Sequence, residues 1–458
     1  MKNIKYLIAS LFVAVSFNGM AQTALSSYFL DGALYNYRLN PAMKAERGYF
    51  SLLLGNTSFR TRGNVGVSDF LYPTADNKLA TFMHSSVDKN EFLSRLPENS
   101  RLGFNLDETI LSAGFRAFGG YASLGVSLHS STAVTLPKGL FEFATKGLQN
   151  NSYSFGGLNV NTMNYVATTL GYSHEVIKGL RIGANVKYLA GLAHVDILVD
   201  KLNVELSEQR WMIESHARAQ AALFCEANAT LDENGVVDGI EVGTISPKAS
   251  GFGFDFGAVY DMNSIVPGLK FSASVVDLGF INWKYMMKGQ SVDTKIEFEG
   301  FDEIDYNNME SSVNAEFEKL ADDASKMLDL NYDGVASVKT GLNTTMYLGA
   351  EYDMPFYKKL SVSLLYGQCF SSFDCHKWYD VRGFVNVAPL KWFEATVNYG
   401  YGSYGSSLGW MLNFHPAGVN FFIGSDVMLT KVTPQFIPLN DFNSHITLGL
   451  NIVLGSRK

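Results

Sequence analysis

"LRIGANVKYLAG", residues 180–191, alternates without a break. Leu180, Ile182, Ala184, Val186, Tyr188 and Ala190 fall on one face of an extended chain, and Arg181, Gly183, Asn185 and Lys187 fall on the other. Alternation over about ten residues matches the strand length that crosses a bilayer at a tilt. The pattern recurs in "LNTTMYLGAEY" (342–352), "WFEATVNYGYG" (392–402) and "HITLGLNIVLG" (445–455). A soluble sandwich alternates in the same way, so the connections have to decide the fold.

Strand-like runs fall at 48–58, 101–117, 120–134, 161–174, 180–195, 251–261, 269–281, 342–353, 360–371, 376–387, 391–402, 406–415, 418–428 and 444–454. Every second connection is tight and rich in turn residues: "AFGGY", "VIKGL", "SIVPGL", "PFYKKL", "APLKW" and "HPAGV". The alternate connections are often long, at 59–100, 135–160, 196–250 and 282–341. Short turns on one side, long loops on the other and an even strand count predict an all-β fold, a 14-stranded antiparallel transmembrane barrel with helical insertions in its outer loops. Closure also removes strand edges that lipid cannot satisfy.

The inward set is Gly, Ser, Thr and Asn with a few charges, among them Arg116, Arg181, Lys187, Asp255, Lys270, Glu351, Asp380, Arg382 and Glu394. A ring of roughly fourteen strands encloses more space than wall side chains fill. The natural occupant is the stretch before the first strand. Residues 1–21 read as a Sec signal peptide, with Lys2 and Lys5, an apolar core and small residues at Gly19 and Ala21. Residues 22–47 then form a plug. Tyr28, Phe29, Leu30, Leu34, Tyr35 and Tyr37 supply bulk, Asp31 and Arg38 carry charge, and Asn40-Pro41-Ala42 makes a rigid corner where the plug meets the wall. The barrel proper runs over 48–458. An arm lying on the rim is the alternative.

Composition agrees. The 42 Gly, 33 Phe and 23 Tyr with only 17% charged residues suit a membrane barrel better than a soluble exported protein. The formal charge of −8 is concentrated: residues 293–333 hold thirteen acidic and three basic side chains, or −10. This marks one acidic outer-loop insertion, about 283–341, carrying an amphipathic helix through Val313, Phe317, Leu320, Ala324 and Leu328. No basic stripe supports nucleic-acid binding.

A signal peptide, a plug ending in Asn-Pro-Ala and fourteen strands with long outer loops resemble the FadL/TodX type of outer-membrane transporter. "RLNPAM", "GYFSLLLGN" and "ASVVDLGFINW" resemble the branch near the secretion-associated PorV barrels. The resemblance implies a Gram-negative outer-membrane location after Sec export, surrounding lipid, and passive uptake of hydrophobic small molecules. These would be caught in a groove under the outer loops, pass a plugged lumen and leave through the wall. The alternative is an accessory or scaffold barrel of a secretion or assembly machine, with an envelope protein partner.

Two features fit the uptake scheme. "VTLPKGLFEFATKG" starts a helix at Pro137 with Leu140, Phe141, Ala144 and Leu148 as an apolar stripe for the groove. In "FSASVVDLGF" the outward register of Phe271, Ala273 and Val275 slips before Leu278 and Phe280, which predicts a bulge at Val276 and Asp277.

Other candidates are weaker. Asp329, Asn331 and Asp333 with Gly334 form the first half of a calcium loop, but Thr340 stands where a Glu is needed, so a plain acidic turn is the competing reading. Cys369 and Cys375 flank one outer connection and could bridge in an oxidising compartment, leaving Cys225 over. No metal spacing among the His residues and no resolvable Ser-His-acid set point to an enzyme or a cofactor.

Overall fold

A computed structural model describes residues 23–45, 47–73, 79–147, 152–206, 211–233, 236–245, 248–291, 294–298, 330–428 and 442–455. Fourteen wall strands follow one another around a ring. They are β1 (Gly48–Leu52 and Thr57–Gly63), β2 (Asn99–Ala117), β3 (Gly120–Pro137), β4 (Leu158–Ile177), β5 (Leu180–Leu206), β6 (Ala249–Asp261) and β7 (Leu269–Gln290). The second half comprises β8 (Thr344–Asp353), β9 (Leu360–Phe370), β10 (Trp378–Leu390), β11 (Phe393–Gly402), β12 (Gly405–Phe414), β13 (Val419–Ser425) and β14 (Ser444–Leu454).

Each pairs antiparallel with its neighbours, and the ring closes where Gly48, Tyr49 and Phe50 of β1 face Leu454, Val453 and Ile452 of β14. The chain is therefore a closed 14-stranded antiparallel barrel, as the alternation predicts. Burial is inverted relative to a soluble protein. Ile182, Val186, Tyr188, Val397, Tyr399, Leu450 and Ile452 are exposed, while Asn185, Lys187, Thr396, Asn398, Asn413 and Asn451 are buried. An apolar outside and a polar inside is the signature of a barrel solvated by lipid.

The tight turns and both ends of the wall lie at one rim, which by this class's convention is periplasmic. Gly179 and Gly418 complete two of those turns at φ 85° and 84°, a region that strains residues bearing a Cβ.

Two features depart from the sequence reading. The first strand, expected unbroken over 48–58, is interrupted at 53–56, where Leu53 and Leu54 each take φ 52°. Gly55 turns inward there, its carbonyl accepting from Asn451 Nδ2 at 3.0 Å. The connections at 196–250 and 282–341 are also partly strand. β5 runs for 27 residues and β7 for 22, well beyond the roughly ten needed to cross a bilayer. Their outer ends pair with Trp211–Leu223 and Asn331–Gly341, and Thr294–Phe298 pairs in turn with Trp211–Ser215, so a sheet projects past the outer rim. Backbone pairing satisfies these polar groups as a solvated loop would, and alternation alone does not mark where lipid ends.

Candidate functional site

The plug fills the turn-side half of the lumen. Apart from exposed Asp31, residues 24–42 are almost wholly buried, and they form the protein's main apolar clusters with the wall. Leu30, Leu34, Tyr35 and Tyr37 pack against Tyr49, Tyr121 and Phe422, while Tyr28 and Phe29 pack against Tyr347 and Phe384. Full burial of one such side chain is worth about 1.5–3 kcal/mol, so several together hold a short segment that has little secondary structure of its own. An arm resting on the rim could not be buried in this way.

Polar contacts fix its path. Both backbone N–H groups of Leu25 and Ser26 donate to the Asp426 carboxylate, at 2.9 and 2.7 Å, and Ser26 Oγ donates to it at 2.6 Å. Arg60 pairs with the same carboxylate. Asp426 N donates to His445 Nδ1 at 2.8 Å, which leaves the His445 proton on Nε2, donated to Ser58 Oγ at 2.9 Å. Further along, Gly32 N donates to Glu394 at 2.9 Å, Tyr35 OH donates to Asn451 Oδ1 at 2.7 Å, and Tyr37 OH lies 3.3 Å from Ser112 Oγ.

The Asn40-Pro41-Ala42 corner is built as a turn: Asn40 Oδ1 accepts from Ala42 N at 3.0 Å, and Asn40 O accepts from Met43 N at 2.9 Å. It sits in a recess made by Gly183 and Gly257, which face each other across β5 and β6. A Cβ at Gly183 would overlap the Pro41 carbonyl, and one at Gly257 would overlap the Asn40 side chain.

Above the plug lies a luminal cavity of about 140 Å³. On one side Arg38 of the plug pairs with Asp107 at 2.8 Å, with His129 next to both. Beside them Lys187 bridges Asp255 at 2.8 Å and Asp277 at 2.6 Å. Asp277 stands on a bulge: Phe254 pairs with Leu278 but Phe256 with Val275, so Val276 and Asp277 oppose Asp255 alone, and Asp277 takes φ 59°. The extra residue turns both Val276 and Asp277 into the lumen, and the next residues return to the outward face. Across the cavity Arg62 stacks on Trp378 at 4.4 Å.

Of the expected wall charges, Lys187 lines the cavity, whereas Arg382 and Glu394 serve the plug region. Arg382 binds Asp380 at 3.0 Å, Asn398 at 2.7 Å and the Asp426 carbonyl at 2.9 Å. Glu351 pairs with Lys270 at 3.3 Å and Arg181 with Glu175 at 3.6 Å, both near the turn end, and Arg116 is exposed there. Asp107, His129, Asp277, Arg62, Asp426 and His445 complete the site. Asp277 was marked by the phase slip in its strand; the others have no local motif, and only their inward registers could have marked the strand residues among them.

Three expectations are corrected or relocated. The groove helix exists as Lys138–Lys146, with Pro137 just before it, but its apolar residues fill the outer loops' own core. Phe141 packs on Phe70, at 5.4 Å between ring centres, and on Phe92, while Leu140 packs with Tyr153 and Phe155; Ala144 is exposed, and Leu148 lies outside the described residues. Cys369 and Cys375 are free thiols. Cys369 packs among Tyr347, Leu365 and Trp378, whereas Cys375 sits in a single 3-10 turn facing Asn159 Oδ1 at 3.5 Å, so the two side chains occupy different environments. Asn331 and Asp333 lie in the strand Asn331–Gly341 rather than in a compact loop; Asp329 and the helix expected at 313–328 lie outside the described residues. Among the described residues no group of His, Cys, Asp and Glu could hold a metal ion.

The family described as "Family of unknown function (DUF5723)" matches residues 41–426. No curated protein matches the sequence. Among solved structures, the toluene transporter TodX of Pseudomonas putida is 9% identical, the match covering 95% of this chain and 93% of that one at a TM-score of 0.38. A FadL homologue from Pseudomonas aeruginosa is 10% identical over 95% of this chain and 98% of that one, at 0.42. The likeness to FadL/TodX-type barrels is one of architecture, and at these scores it adds nothing to what the strand pairing establishes.

Proposed function

We propose that this chain, which belongs to the DUF5723 family of unknown function, is an outer-membrane transport barrel for the passive uptake of small molecules with hydrophobic bodies. The observation that carries this reading is a stoppered lumen with a cavity directly above the stopper, since a purely structural barrel needs no internal space beside a plug. Substrate would enter past the outer loops, halt in the cavity and leave when the plug shifts or when the wall parts at the Val276–Asp277 bulge. The reading is tested by uptake of labelled hydrophobic compounds into vesicles carrying the purified protein. Uptake above protein-free vesicles supports it; none for any compound tested defeats it.

The sheet beyond the outer rim favours a second reading, an accessory barrel that presents this surface to an envelope machine. Native purification that yields a stoichiometric partner would support that reading over transport.

A further inference from the structure

The charged groups around the luminal cavity differ in their availability to a guest. Asp255 is fully buried and receives Lys187 Nζ at 2.8 Å, Asn185 Nδ2 at 2.7 Å and the Asp277 backbone N–H at 2.8 Å. Three donors saturate this carboxylate, so it is closed to a guest. Lys187 stands between it and Asp277. Arg38 and Asp107 cancel as a pair. His129 lies between this pair and Ser127, its Nε2 3.4 Å from Arg38 and 2.8 Å from Ser127 Oγ.

Exposure shows which group a guest meets. The Asp277 side chain is 30% exposed and lines the cavity, against 14% for Arg38, 11% for Lys187 and 6% for Asp107. Arg38 and Lys187 are turned into their pairs, and on this wall the group presented to a guest is a carboxylate. Tyr165, stacked on His129 at 4.9 Å, lines the same space with Val276 and Leu342. Arg62 lies on the opposite wall, stacked on Trp378.

We propose that this cavity binds a small organic cation, an amine on a ring-sized apolar body, with its ammonium at Asp277 and its body against Tyr165, Val276 and Leu342. A volume near 140 Å³ suits one ring, since apolar cavities of about 150 Å³ hold benzene. An aromatic face attracts an ammonium through its ring quadrupole, and a carboxylate beside it adds direct charge attraction. The site deepens the transport reading and rests on it only for the ligand's route.

The test uses the purified full-length barrel in detergent and three probes with one body and three charges: benzylammonium, benzyl alcohol and benzoate. Calorimetric titration should show benzylammonium binding at least tenfold more tightly than the other two. Asp277→Asn should bring it to the level of benzyl alcohol, and Tyr165→Leu should weaken it several-fold, with folding checked by heat-dependent gel mobility. Equal or tighter binding of benzoate or benzyl alcohol, or an unchanged affinity in the folded variants, overturns the proposal. Should Asp277→Asn not fold, the comparison of probes and Tyr165→Leu decide. Amine binding without flux of any compound into vesicles would defeat the transport reading and leave the site; flux of neutral compounds with no binding preference for the amine would do the reverse.

Discussion

Ser26 and Asp426, 400 residues apart in the chain, are joined by two hydrogen bonds, from Ser26 N at 2.7 Å and from Ser26 Oγ at 2.6 Å. The leading end of the plug is thus tied to the far end of the barrel. The Asp426 carboxylate also accepts from Leu25 N and Arg60, and its backbone N–H donates to His445, so one residue joins the plug to strands β1 and β14.

Replacing that carboxylate should free the plug while the ring persists. Asp426→Ala leaves Arg60 buried without its partner and removes the acceptor of two backbone N–H groups; breaking a buried pair of this kind costs about 3–5 kcal/mol. Limited proteolysis should cut within residues 23–34 of the variant at protease levels that leave the parent intact. Equal resistance would show that the apolar contacts alone hold the plug.

The recess at Gly183 gives a steric test. Gly183→Val puts a side chain where the Pro41 carbonyl sits, so the corner cannot dock, while the outward residues Ile182 and Ala184 still meet lipid. The variant should keep its barrel by heat-dependent mobility and show a higher ionic current in planar bilayers. A current like the parent's would place the corner elsewhere.

The outer connection should loosen in acid. Burial pushes His376 down to about 4, and its neutral ring donates Nε2–H to Asn161 Oδ1 at 3.0 Å and lies 3.3 Å from Ser131 Oγ. The unfolded imidazole titrates near 6.5, so between about 4 and 6.5 the undocked loop binds a proton that the docked loop does not. Docking is therefore fully stable above 6.5 and weakens as pH falls toward 4. Amide exchange at 371–377, corrected for its intrinsic pH dependence, should report this weakening, and His376→Gln should remove it. No change between pH 7.5 and 4.5 would refute it.

All three cysteines should titrate as thiols in the unfolded chain. In the folded barrel Cys225, the least buried, should alkylate first, and Cys375, whose thiol burial pushes up to about 11, should lag by an order of magnitude or more. A Cys369–Cys375 bridge found by non-reducing mass mapping would contradict the structure.

The fold was legible because period-two alternation in runs such as 180–191 and a regular sorting of loop lengths are both consequences of a closed wall in lipid. The bulge was legible for a related reason: Phe271, Ala273 and Val275 cannot share a face with Leu278 and Phe280 unless a residue is inserted. The contacts of the plug were not. Nothing near Asp426 predicts that it receives Ser26, because register around a ring of fourteen strands is a sum of many local choices. Helical spacing in 138–146 showed an apolar face but not that Phe70 and Phe92 cover it. The nearness of Cys369 to Cys375 in sequence carried no information about where their side chains point.

Hydrogen exchange of the plug amides tests the central claim most directly. With the protein in detergent, Leu25, Ser26, Gly32 and Ala42, whose N–H groups are bonded inside the lumen, should exchange as slowly as interior residues of β10 and β11. Exchange of these four amides at the rate of an unstructured peptide, with the wall strands still protected, would contradict a barrel closed by its own leading segment.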